Sequence, residues 1–305
     1  MLLYNRCLEW CGFLTNLGMI YALIWTLLYA ISNTISKHAS LNFNINKTLV
    51  FTWVMISFYW VFLISFFDSF KVDWSNYIYF FFIWLSWYLW AWSLNKAMMN
   101  LSNWIVLLIA NLYVFFSYFL NNFLIGDIER FSWIKTILAL TFFIIVSVFL
   151  FEKKESSSMP KLNIKALYPW LTAICWTIYS SLSNLMVKSW VFSAFQWLFY
   201  CELFIAVFSL IAFLLISLKD RKMDLTISKK QLLSYLGISF FIFVWALWFF
   251  MWFKAVWWNY VNVIGLAQIP MVSLLSYIFL KDKLSYAQIY TMISAFLILI
   301  LFVIS

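Results

Sequence analysis

One pattern of residues occurs twice and constrains everything else the chain can do. Ala22-Leu23-Ile24-Trp25-Thr26 is followed by Ser32-Asn33 and Lys37, and Ala173-Ile174-Cys175-Trp176-Thr177 by Ser183-Asn184 and Lys188. Each matched Ala, Trp, Thr, Ser, Asn and Lys is displaced by the same 151 residues (Ala22 to Ala173), about half of the 305-residue chain. A fixed displacement of this kind marks an internal duplication. The match continues along both copies. Leu89-Trp90 leads to Lys96-Ala97 as Leu247-Trp248 leads to Lys254-Ala255, and Ser117-Tyr118-Phe119-Leu120 corresponds to Ser276-Tyr277-Ile278-Phe279-Leu280. The displacement there is 158 (Trp90 to Trp248) and 159 (Ser117 to Ser276), so a few residues were gained between the copies.

The duplicated unit is apolar. Runs of about 20 apolar residues, the length that crosses a bilayer as a helix, fall at roughly 18–37, 48–67, 76–95, 101–121 and 132–151 in the first copy. In the second they fall at roughly 167–187, 195–217, 233–253, 259–280 and 286–304. The chain is 66% hydrophobic and 10% charged, where a soluble domain is roughly half apolar and a quarter charged. No polar block is long enough to form a water-soluble domain. The expected fold class is therefore an all-α integral membrane protein with ten transmembrane helices arranged as two inverted five-helix repeats. An odd number of crossings per copy turns the second copy upside down, as in many transporters whose sites lie where the halves meet. The corresponding division is residues 1–151, a linker at 152–166, and residues 167–305.

The net charge of +9 does not point to nucleic acid. The basic residues sit at segment ends and in two charged connections, Glu152 to Lys165 and Lys219 to Lys230, where Lys and Arg ordinarily flank membrane helices. With the N-terminus inside, Arg6, Lys71, Arg130, Lys135, Lys188 and Lys254 share one side and the other 14 of the 20 basic residues the opposite one. The basic count thus places both termini outside. Cys7, Cys11, Cys175 and Cys201 form no C-x-x-C, and His38 is the single histidine, so no metal site and no cofactor are expected. The apolar part of residues 1–17 is interrupted by Arg6 and Glu9, which argues against a cleavable signal.

Together these residues resemble the EamA-type permeases of the drug/metabolite transporter superfamily, over residues 18–304. The resemblance is carried by Trp25 and Trp176 in the first and sixth segments and by the Lys-Ala pairs ahead of the fourth and ninth. It is carried too by the stretch from Ile269-Pro270 through Ser285-Tyr286-Ala287-Gln288. The chain departs from the family pattern in having 5 glycines, Asp282 where Glu is usual, and Asn111 near the place of the first-half proline. The resemblance implies both termini in the cytoplasm, against the basic count, and a bacterial inner membrane. It implies transport of a small organic metabolite, such as an amino acid or another amine-bearing compound. Monomer and homodimer both remain open.

Several residues are candidates for the site. Read as a helix, the opening motif places Ala22, Trp25, Thr26, Ser32, Asn33 and Lys37 within an arc of about 140°, and the second copy does the same. Such a face should turn inward rather than to lipid. Thr26, Thr177, Ser32 and Ser183 suit either helix packing or a cavity. Asn33 and Asn184 favour a cavity, because an amide has two donors and an acceptor to satisfy. Trp25 and Trp176 could stack on an aromatic or cationic substrate or simply fill core. Lys37 and Lys188 are expected to snorkel outward. Gln268, next to Pro270, is a candidate cavity residue, and Asn111 is the polar position of the fourth segment.

Glu202 lies about two turns into the seventh segment, where a carboxylate costs on the order of 3 kcal/mol and usually marks an ion or substrate path. Its first-copy counterpart is near Thr52 or Trp53, so a protonatable group stands in one half alone and is a candidate for proton coupling. No phosphate-binding G-x-x-x-x-G-K-S/T is present, which excludes that ATP motor. A polytopic acyl- or glycosyl-transferase and a non-transporting scaffold are the alternatives to a secondary transporter working by alternating access. The first would need a cluster of ionisable residues that the loops do not offer, and the second gives no reason for the repeat to keep its polar positions.

Overall fold

The computed structural model describes residues 24, 26–67, 77–120, 132–147, 151–152, 161–188, 194–220, 225–255, 268–281 and 286–304. These residues are helical apart from short connections and one two-residue strand pair. The elements are α1 (26–42), α2 (Ile45–Phe67), α3 (Tyr77–Asn100), α4 (Asn103–Ala110), α5 (Tyr113–Leu120) and α6 (Trp133–Ser147). After the strands β1 (Phe151–Glu152) and β2 (Lys161–Leu162) come α7 (Leu167–Lys188), α8 (Ala194–Asp220), α9 (Lys229–Ala255), α10 (Gln268–Leu280) and α11 (Tyr286–Ile304). The described part of each of the ten apolar segments is essentially helical, the fourth being shared by α4 and α5. Among the described residues, four stretches are long and apolar enough to cross a membrane: Ile45–Phe66, Asn103–Leu120, Phe195–Asp220 and Lys229–Leu247.

Local chemistry explains the helices. Pro169 falls in the first turn of α7, where an N–H would have no intrahelical partner in any case. Hydroxyls inside helices satisfy themselves on the carbonyl one turn back: Thr34 on Ala30 at 2.9 Å, Ser57 on Trp53 at 2.9 Å and Ser273 on Ile269 at 2.7 Å. That local bond lets Ser and Thr sit inside an apolar bundle without a wet neighbour. The expected linker is closed at its ends by β1 and β2, paired Phe151 to Leu162 and Glu152 to Lys161. Asn163 then caps a short turn of 3-10 helix by accepting from the Lys165 amide at 3.0 Å.

The side chains are distributed inside out relative to a water-soluble protein. Phe58, Phe62 and Phe66 line one outer face of α2, each 67–68% exposed. Ile137, Leu140 and Ile144 do so on α6, and Leu210, Leu214 and Leu218 on α8. Meanwhile Thr26, Asn33, Asn103, Asn111, Thr172, Glu202, Ser239 and Gln268 are all buried. Lys37, expected to snorkel, is buried as well at 5% exposure. Lys47 donates from Nζ to the Thr226 carbonyl, tying the start of α2 to the approach to α9.

Packing joins the first five segments to the last five. Second packs on seventh (α2 on α8), fourth on ninth (α4 on α10) and fifth on tenth (α6 on α11). α2 meets α9 and α3 meets α8, a further reciprocal pair, and α7 packs on α3, α4 and α5. An aromatic core fills the space among α2, α3, α7, α8 and α9, while a second core joins α4, α5, α6, α10 and α11.

Candidate functional site

Between those two cores lies a cavity. It is lined by Tyr29 of α1, Trp90 of α3, Leu107, Ala110 and Asn111 at the end of α4, Tyr113 of α5, Thr172 and Trp176 of α7, Trp245 of α9 and Gln268 of α10. The space open to the centre of a water molecule is about 20 Å³. One water requires roughly 10–15 Å³ of such space, so the cavity in this form holds a water or two and no metabolite.

A break in the fourth segment delivers three of the lining residues. At the junction of α4 and α5 the amides of Leu112, Val114 and Phe115 bond three residues back, to Ile109, Asn111 and Leu112 at 3.0–3.1 Å. Val114 thereby passes over the Ala110 carbonyl that a regular helix would give it. Asn111 stabilises the break: its side-chain amide donates to the Leu107 carbonyl at 2.7 Å, and its backbone amide donates to the same oxygen at 2.9 Å. The Asn111 side-chain carbonyl then accepts from Gln268 Nε2 at 3.4 Å, a long bond that closes the cavity between α4 and α10.

Aromatic rings form most of the wall. Trp90 and Trp176 lie 4.8 Å apart between centroids, Tyr29 and Trp245 5.1 Å, and Tyr113 stands edge-on to Trp176 at 5.6 Å. The Tyr113 hydroxyl neighbours the Trp176 indole N–H and the Tyr29 hydroxyl. On the α3–α7 side the Ser93 and Thr172 hydroxyls are 2.9 Å apart, each also within reach of its own helix's backbone, at Trp90 and Tyr168.

Of the residues singled out in the sequence, Asn111, Trp176 and Gln268 line this cavity. Asn33 is buried one turn beyond Tyr29 and neighbours its hydroxyl, while the Asn33 Nδ2 has no hydrogen bond. It sits behind the wall rather than in it. Thr26 is fully buried outside the lining, and Thr177 gives its hydroxyl to the Ala173 carbonyl at 2.8 Å. Thr177 therefore acts locally. Trp25 and the Asn184 side chain lie outside the described residues, as does the carbonyl that Pro270 would free upstream.

Tyr29, Trp90, Tyr113, Thr172 and Trp245 were not foreseen. Helical spacing held a signal for two of them. Tyr29 falls one turn from both Trp25 and Asn33, and Thr172 one turn from Trp176. Trp245 is the counterpart of Trp87 at the displacement of 158 (Trp87 to Trp245), but nothing in that match separates a cavity tryptophan from a packed one.

Glu202 is fully buried, and neither carboxylate oxygen makes a hydrogen bond. It does not line the cavity. It belongs to the adjoining aromatic core, where Trp87 is its neighbouring donor without reaching hydrogen-bond geometry. Trp87 stacks on the cavity residue Trp90 at 4.1 Å and 4°, and on Tyr179 at 4.0 Å. The carboxylate is thus separated from the cavity by a stacked pair of indoles.

No family model matches this sequence, and no curated protein matches it. Among solved structures, 19 chains match. One of them, a crystal structure of a protein, aligns over 96% of this chain and 99% of its own, with a TM-score of 0.58 and 12% sequence identity. That likeness concerns the arrangement of the helices alone.

Proposed function

We propose that the protein is an integral membrane secondary transporter for a small organic metabolite, built from two inverted five-segment repeats that rock about the cavity. The reciprocal packing carries this reading. Second on seventh, fourth on ninth and fifth on tenth, with second-on-eighth matched by third-on-seventh, are the pairings that a two-fold relation exchanging the halves would leave. With five crossings in each half, such a relation turns one half over with respect to the other.

Further support comes from the inside-out side chains. Helices whose outer faces carry exposed Phe, Leu and Ile over buried Asn, Glu and Gln suit a hydrocarbon surround. The broken fourth segment belongs with the same reading, since irregular backbone at membrane depth is tolerated where it lines a cavity. The dimensions of the cavity fit an occluded state, which rocking would open to either side in turn. An amino acid or another amine-bearing compound is the substrate class implied by the resemblance to EamA-type permeases, and Glu202 is the candidate for proton coupling. The test is uptake of radiolabelled metabolite pools into proteoliposomes. Accumulation of an amine-bearing compound, lost in Gln268→Leu and dependent on an imposed proton gradient, is expected. No uptake above empty vesicles in either gradient direction would end the transport reading.

A further inference from the structure

Away from the Gln268–Asn111 and Thr172–Ser93 pairs, one corner of the cavity is rich in hydrogen-bond donors. The Tyr29 and Tyr113 hydroxyls meet there, beside the Trp176 indole N–H. One turn further along α1, the Asn33 amide stands next to the Tyr29 hydroxyl. Trp176 is 9% exposed and Asn33 3%, yet neither Trp176 Nε1 nor Asn33 Nδ2 makes a hydrogen bond. Unmet indole N–H groups recur at Trp60 and Trp170, so the indole by itself carries little. What sets this corner apart is an unmet amide and an unmet indole on one pair of phenols, each at a cost in stability.

Among the described residues no acidic side chain lines the cavity to serve these donors. Hydroxyl protons turn toward whichever acceptor is near. An oxyanion between the phenols would take both, with the indole N–H as a third donor. A phenol that gives its proton to an anion becomes a better acceptor in turn, and Asn33 Nδ2 is placed to meet it. The sign of the charge agrees. Lys37 is buried one turn beyond Asn33 on the same face of α1, and a long helix side chain leans toward the N-terminus, the direction of Asn33. The opposing charge, Glu202, is held off by the Trp87–Trp90 stack.

Resting on the transport reading above, we infer that this corner is a carboxylate subsite, in which the Tyr29 and Tyr113 hydroxyls and the Trp176 N–H hold the substrate's carboxylate. Asn33 is a positioning residue behind Tyr29, and the apolar body of the substrate lies toward the rings of Trp90 and Trp245. The carboxylate is the group recognised, and an amine is not required. Entry needs the cavity to widen, which the rocking of the halves supplies.

The deciding comparison is hydrocinnamate against its neutral isostere hydrocinnamamide and the cation phenylpropylamine, titrated calorimetrically into the full-length protein in lipid nanodiscs, with empty nanodiscs subtracted. Charge-assisted hydrogen bonds are roughly twice as strong as neutral ones, so hydrocinnamate should bind at least about fivefold more tightly than either. A smaller ratio, or no binding by any of the three, overturns the inference. Tyr29→Phe and Asn33→Leu should each lower the ratio of acid to amide affinity. Lys37→Gln should lower it too, and Lys37→Arg should keep it. A purely structural role would weaken both ligands together and leave the ratio unchanged, which overturns the subsite. Trp133→Leu, at an exposed tryptophan on α6, should change nothing. If Tyr29→Phe fails to fold, the ratio on the unaltered protein still decides. The two readings also fail separately. Hydrocinnamate binding without uptake of labelled hydrocinnamate or amino acids into vesicles removes transport and leaves the subsite. Uptake of a labelled amino acid that excess hydrocinnamate does not inhibit overturns the subsite and leaves transport.

Discussion

The cavity and the Glu202 layer are neighbours built from the same aromatic residues, yet they treat polar groups in opposite ways. In the cavity wall Gln268 meets Asn111, Asn111 meets Leu107, and Thr172 meets Ser93. One indole pair away, both oxygens of Glu202 go without a hydrogen bond. A polar group left unmatched inside a bundle costs stability, so its retention asks for another reason, and function is a frequent one for an ionisable group buried in this way. The contrast separates polar residues that hold the bundle together from one that weakens it.

The largest effect is expected where the two regions differ most. Glu202→Gln should lower uptake at least tenfold while leaving the melting temperature nearly unchanged, because the amide has almost the same shape and the carboxyl it replaces makes no hydrogen bond to lose. A fall in melting temperature together with intact uptake would make Glu202 a structural residue and erase the contrast. Next in size is the bridge across the cavity. Gln268→Leu orphans the Asn111 carbonyl and Asn111→Leu orphans the Gln268 amide, each at about 1–3 kcal/mol. The double variant should melt no lower than the worse single, since the bridge is lost only once. Additive losses would mean that the two side chains act independently.

Smaller effects are expected in the clasp between α3 and α7. Ser93→Ala and Thr172→Val should each cost about 1 kcal/mol, with a measurable coupling in a double-mutant cycle of thermal melts. Smallest is Ser117→Ala. Its hydroxyl lies 3.4 Å from Ser180, which also reaches its own helix at Thr177, so the change should stay within about 0.6 kcal/mol. A larger loss there would show that long hydroxyl contacts matter as much as the short ones near the cavity.

The helical segments were legible because each is a long apolar run, and a backbone without water around it has little alternative to helix. The interruption at Asn111 was marked in the sequence by a polar residue near the place of a proline. Its consequence, a change of hydrogen-bond partner at Leu112, Val114 and Phe115, was not. Trp176 and Gln268 were recognisable as odd residues in apolar runs. Thr26 and Thr177 carried the same signal and are buried outside the lining, and the Thr177 hydroxyl is satisfied within its own helix. Lys37 was read from its nearness to a segment end and is buried, because which neighbours cover a helix end depends on helices distant in sequence.

The sequence alone determined the duplication, the ten apolar segments and the oddity of a carboxylate at Glu202, because each is a matter of spacing and composition along one strand of chain. Tertiary structure decided which tryptophans face open space, that Glu202 stands behind the wall rather than in it, and that Asn111 and Gln268 meet. The physical reason lies in the composition itself. Where most helix faces are apolar and a quarter of the residues are aromatic, hydrophobic patterning no longer distinguishes one inward face from another. The choice falls to the packing of rings and amides across helices that the chain places far apart.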